Sequence, residues 1–202
     1  ASTFAQRSGL ENQPHSVEEL TLVTAWFARE AARLSDQVPR DEEGQFLRDQ
    51  DGWFANGVGV YDALEETFPC LEMDSVRAKP LVCSRLQSIL GFTGMYFPFT
   101  GEANVNVDAP ACLIPATIAH EMAHQRGIAS EQECNFLAIL ASTTSGNPAY
   151  VYSGYLMGFI HLGNALYRVD PETYWTIRDQ LPETVEADLA YNNAYWDQFR
   201  DS

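Results

Sequence analysis

Basic side chains are scarce in this chain: 12 Lys and Arg stand against 28 Asp and Glu among 202 residues, a formal net charge of −16. A surface of that sign repels phosphate backbones, so nucleic acid is excluded as a partner, and an anionic lipid surface is disfavoured for the same reason. No run of 18 apolar residues exists, so no stretch of the sequence reads as a membrane-spanning helix. No signal peptide is visible, and internal repeats and low-complexity tracts are missing. The four cysteines, Cys70, Cys83, Cys112 and Cys134, form no C-x-x-C pair, which argues against a structural zinc site. Cys134 reads as a buried free thiol, and Cys70 and Cys83 flank a turn-rich segment where an exported protein could join them.

What is present points to helices. A length of 202 residues suits a single domain with a real core. Ser16 followed by Glu19 forms a capping box opening a helix to about Val38, with Leu20, Val23, Phe27, Ala31 and Leu34 on its buried side. A further helix covers about 56–67, and others cover about 111–126, 131–144, 148–168, 171–179 and 183–199. Strand character concentrates in 92–107, where alternation surrounds a Thr-Gly turn. The fold class expected is mainly α with a small β-sheet, an α+β chain.

The chemistry lies in His120-Glu121-Met122-Ala123-His124. Histidines four apart on a helix sit one turn above each other, so both imidazoles can reach one Zn²⁺. Glu121 flanks them and can act as general base towards a water activated by the metal. The apolar ridge of this helix is Ile114, Ile118 and Met122, nearly opposite the histidines. Core histidines would share that ridge, and a solvated face has no need of both at this spacing.

Zinc needs a third protein ligand. Gly127 suits the left-handed residue after a helix end, and Ser130 with Glu133 reads as a capping box for the next helix. Glu131 and Glu133 are both candidates, and capping competes for Glu133. Glu131 is favoured because Asn135, four residues on and on the same face, is placed to hydrogen-bond a ligating histidine. Both glutamates would also favour a helix N-terminus by charge alone.

H-E-x-x-H followed by E-x-x-x-[DN] on the next helix resembles the gluzincin peptidases of the thermolysin type, with a much shorter gap between the motifs. HEMAHQRG is also similar to the opening of the metzincin motif, but Ser130 stands where that family has its third histidine. A closer resemblance runs through KPLVCSRLQSILGFTGMYFPFTGEANVNV, IPATIAHEMAHQRGIASEQECNFLAILAS and VYSGYL. These segments resemble the bacterial membrane-anchored domain-of-unknown-function family 3810, grouped with zinc metallopeptidase-like folds.

That resemblance implies a single zincin-like domain over 1–202: a helical segment 1–70, a zinc-site core 77–167 and C-terminal helices 168–202. It also implies upstream transmembrane helices, and so an extracytoplasmic domain at a bacterial cell membrane. One Zn²⁺ per chain would be held by His120, His124 and Glu131, with Asn135 behind them and a peptide or protein as substrate. The strand before the zinc helix would line the cleft, with Glu102, Asn104 or Asn106 meeting substrate. Tyr152, Tyr155 and His161 are candidate oxyanion stabilisers, Tyr155 being preferred. The function expected is a zinc metallopeptidase-like hydrolase. A zinc-retaining sensor or interaction domain without turnover, and a zinc hydrolase acting on something other than peptides, are the rivals.

Overall fold

The computed structural model of the protein describes residues 2–97 and 99–200. Among these residues ten α-helices surround one small sheet: α1 Phe4–Ser8, α2 Val17–Ser35, α3 Gln50–Asn56, α4 Asp62–Thr67, α5 Ser84–Ile89, α6 Ile114–Gln125, α7 Glu131–Thr144, α8 Pro148–Val169, α9 Pro171–Arg178 and α10 Glu183–Asp197. The strands are β1 Lys79–Pro80, β2 Gly94–Phe97 and β3 Glu102–Val105. The chain is therefore mainly helical with a three-stranded sheet, an α+β fold as expected. No helix among the described residues is long and apolar enough to cross a membrane.

Local chemistry sets the helix ends. Ser16 Oγ accepts from Glu19 N at 3.1 Å while Ser16 N donates to Glu19 Oε2 at 2.8 Å, the reciprocal box that starts α2. Asn147 Oδ1 takes the free amides of Ala149 and Tyr150, and Pro148 occupies the first turn of α8 where no amide is needed. Gly127 adopts φ 77°, the left-handed conformation that ends α6 abruptly. The α2 helix ends at Ser35 rather than Val38, and the helix foreseen at 56–67 is instead α3, a 3-10 turn at Gly57–Gly59, and α4. Three elements carried no sequence signal: α1, α5 and β1, of five, six and two residues, too short to show a period.

The core is continuous. Ile114, Ile118 and Met122 of α6 pack with Leu137, Ala138 and Ala141 of α7 and with Leu156 and Phe159 of α8, all essentially inaccessible. The N-terminal segment joins the same core through Trp53, Phe54, Tyr61 and Leu71. Tyr61 Oη donates to Ala119 O at 2.7 Å, and Tyr150 Oη donates to Trp53 O at 2.7 Å, so each buried hydroxyl ties the two segments together.

The sheet order is β1-β3-β2, with β1 parallel and β2 antiparallel to β3. A substrate backbone can add only to an edge strand, so this order corrects the expectation that the strand before the zinc helix meets substrate. Strand β3 is central, paired on both sides, and β1 and β2 are the two edges. The reason lies in pairing order, which alternation within one strand cannot encode. All four cysteines are free, so Cys70 and Cys83 are not joined.

Candidate metal centre

Helix α6 presents His120 and His124 one turn apart, and the turn at Gly127 brings the first residues of α7 across them. The His120 Nε2 lies 3.1 Å from Glu131 Oε2, and His124 Nε2 lies 3.4 Å from Glu131 Oε1. The other ring nitrogens are held from behind. His124 Nδ1 donates to the Ile128 carbonyl at 2.8 Å, and His120 Nδ1 faces Asn135 Oδ1 at 2.8 Å. Carbonyl oxygens only accept, so each Nδ1 carries the proton and each Nε2 turns a lone pair towards the carboxylate. Two lone pairs facing an anion repel unless a cation lies between them. Burial, and secondarily the charge of His124, lowers the pKa of His120, so protonation is a poor substitute for a metal there. Two imidazoles and one carboxylate suit zinc in type and number.

Glu133 is elsewhere. Its Oε2 and Oε1 accept from the Phe4 and Ala5 amides, each at 3.0 Å, at the start of α1. Ser130 Oγ accepts from Glu133 N at 3.4 Å, but the reciprocal half of the expected capping box is missing because the Glu133 carboxylate is spent on α1. Cys134 lies close to both histidines, yet its Sγ stands 3.3 Å from His124 Nδ1, behind the ring, and its thiol donates to the Ile128 carbonyl at 3.6 Å. Burial pushes that thiol up to about 12, so it stays neutral.

Glu121 is buried beside the histidines and lines the cleft. Burial, then the negative charge of Glu131, pushes its carboxyl up to about 8. Its Oε2 has no hydrogen-bond partner. A buried carboxylate oxygen without a donor is costly in a purely structural role. The carboxylate fits because the residue facing it on β2 is Gly94, where a Cβ would collide with the Glu121 side chain. Tyr96, two residues along β2, stacks on His124 with centroids 6.1 Å apart. Neither Gly94 nor Tyr96 stood out in the sequence. The alternation of β2 carried the information, but not that this strand would bring its inner residues to Glu121 and His124.

Two hollows meet at the centre. One of about 750 Å³ runs along β2 past Glu121 and His124, and one of about 390 Å³ lies between α6, α8 and α10. Both are lined by Thr93, His120 and Glu131, so the two hollows adjoin at His120 and together form the groove. His161 of α8 lines the second hollow. Tyr155 does not reach the groove, which corrects its proposed role: it faces α2, edge-on to Trp26 and Phe27 at 5.4 Å each. Tyr152 is also spent, donating to Asp188 at 2.5 Å.

The three β3 candidates are likewise corrected, since none lines the groove. Glu102 pairs with Lys79 on β1, while Asn104 Nδ2 donates to the Glu102 carbonyl at 3.3 Å. Asn106 is buried, with Nδ2 donating to Ser88 Oγ and Phe92 O at 2.9 Å each and Oδ1 accepting from Asp108 N at 2.9 Å. A central strand uses its polar groups internally.

No curated protein and no solved structure matches the chain. Residues 1–202, the whole sequence, match one family described as proteins of unknown function, and the chain accordingly belongs to DUF3810.

Proposed function

We propose that this domain is a zinc-dependent peptidase with a zincin-like fold, in which His120, His124 and Glu131 would hold the metal. The observation that carries the reading is the pair of Nε2 lone pairs aimed at Glu131, next to a buried Glu121 oxygen with no partner. Zinc, when bound, supplies positive charge that polarises a carbonyl and makes a water more acidic. Glu121 takes a proton from the attacking water and passes it to the leaving amine. A substrate backbone adds to the free edge of β2, whose ladder with β3 leaves its other side unpaired among the described residues. His161, which lines the second hollow, donates an N–H to the oxygen that gains negative charge. A groove open on both sides of the histidines supports turnover over a closed zinc-holding sensor, and internal cleavage of a chain over removal of its end.

Elemental analysis of protein purified without chelator should find about one zinc per chain. Replacing both histidines, His120→Ala with His124→Ala, should leave none, and full occupancy in that variant would overturn the site. The Glu121→Gln variant should keep zinc and lose roughly 10²–10⁴ in hydrolysis across a peptide library. Zinc-loaded wild type that cleaves no more than Glu121→Gln would leave binding without catalysis.

A further inference from the structure

Exposed apolar side chains are unevenly spread. Eight of the twenty large exposed ones fall within residues 82–99, fewer than a tenth of the chain. Val82 and Phe99 are almost fully exposed, at 99% and 101%, and Leu86, Leu90, Phe92 and Phe97 are between 42% and 60% exposed. They occupy α5, the segments leading into and out of it, and the β2–β3 hairpin, with Val82 before α5 and Phe99 in the connection between the strands. Soluble monomers seldom gather so many apolar groups in one stretch without a partner.

Charge follows the same boundary. Residues 75–101 contain no Asp or Glu but three bases, Arg77, Lys79 and Arg85, whereas the rest of the chain has 28 acids against nine bases. Two of the three bases are answered from outside the stretch, Lys79 by Glu102 and Arg85 by Asp108 at 3.2 Å. The apolar face therefore has a fringe of about neutral to weakly positive charge, in a protein that elsewhere repels anionic surfaces. Fully exposed side chains project outward rather than line a groove, which suits insertion between lipid headgroups better than docking against a shaped protein surface.

We propose that α5 and the β2–β3 hairpin form a membrane-docking face that seats Phe97, Phe99 and Leu90 in the interfacial layer of a lipid bilayer. The weakly positive fringe tolerates anionic headgroups and adds little attraction, so apolar burial supplies the affinity. Phe92 and Met95 belong both to this face and to the wall of the groove. Docking thus turns the groove mouth towards the bilayer surface. The proposal concerns a binding surface and stands apart from the catalytic reading.

The test is co-sedimentation of the protein with vesicles of phosphatidylethanolamine and phosphatidylglycerol. The wild type should partition onto them, and Phe97→Ser with Phe99→Ser should lower the partition coefficient by roughly a hundredfold, the equivalent of two aromatic side chains left in water. Leu86→Ser with Leu90→Ser, on a different element, should also lower it, which guards against misfolding of one variant. The double histidine variant should bind vesicles like the wild type, so failure of the zinc reading leaves this result unaffected. No partition by the wild type, or partition unchanged by both pairs of substitutions, would overturn the proposal. So would self-association without lipid that the same substitutions abolish, since the face would then join two copies of the chain.

Discussion

Two polar clusters of this molecule, one on each side of the core, end in opposite states. At the junction of α2, α8 and α10, Arg40 donates to both oxygens of Asp188 at 3.2 and 3.0 Å, to Ser35 O at 2.9 Å and to Gly44 O at 3.0 Å. Tyr152 Oη donates to the same carboxylate. Both charged groups are thus answered, and the cluster is closed. Across the core, His120, His124, Glu121 and Glu131 leave two lone pairs facing a carboxylate and one carboxylate oxygen facing nothing. The first arrangement is complete as folded, and the second is complete only with something added. That difference, rather than burial or charge as such, marks the second cluster as the functional one.

The sharpest way to break the comparison is to open the closed cluster. Asp188→Ala leaves the Arg40 guanidinium buried without its counter-charge, and losing one partner of a buried pair costs about 3–5 kcal/mol. Urea unfolding should show that loss, while zinc stoichiometry in the folded fraction stays at the wild-type value. Unchanged stability would mean that water reaches Arg40 freely and that the cluster is not closed. A loss of zinc would mean that the two clusters communicate through α8.

The legible parts of the site were those encoded within one helix. The spacing from His120 to His124 needs only helical periodicity to bring both rings to one side, and the same periodicity sets Asn135 one turn beyond Glu131. In sequence Glu131 is favoured over Glu133 by Asn135 and by the competing cap, and the structure separates the two for a different reason: α1, a helix too short to be seen in sequence, takes the Glu133 carboxylate. Long-range placement was not legible. Strand order made β3 central and spent its polar groups on its neighbours, so Gly94 and Tyr96 of β2, and not Glu102, Asn104 and Asn106, stand beside Glu121 and His124. Packing of α8 on α2 likewise turned Tyr155 away and left His161 in the groove. The capped helices α2, α7 and α8 were visible because their signals, a cap and a period, lie within a few residues of each other.

A smaller change tests how the open cluster is poised. Asn135→Ala removes the acceptor that holds His120 Nδ1–H and frees the ring to turn. Groups in this position are typically worth 10–100-fold in metal affinity. Competition against a chromophoric chelator should report a fall of that size, and Asn135→Asp should recover most of it, because a carboxylate accepts the same proton. Equal affinity in all three proteins would show that the ring is held by packing alone.

The smallest expected effect separates the two neighbouring glutamates. Glu133 accepts two backbone amides at the start of α1, where a carboxylate also meets the positive end of the short helix. Glu133→Gln keeps one acceptor oxygen and removes the charge, so it should cost about 1 kcal/mol in urea unfolding and leave zinc affinity untouched. Glu131→Gln should behave in the opposite way. Its carboxylate is exposed, and both oxygens face only the histidine rings. Its loss should therefore weaken zinc strongly while the metal-free protein unfolds at the wild-type urea concentration. Measuring both quantities for both variants gives four numbers, and the reading requires them to lie on one diagonal. Zinc affinity that falls with Glu133→Gln and survives Glu131→Gln would reassign the third ligand and require α1 to swing away from α7 when the metal binds.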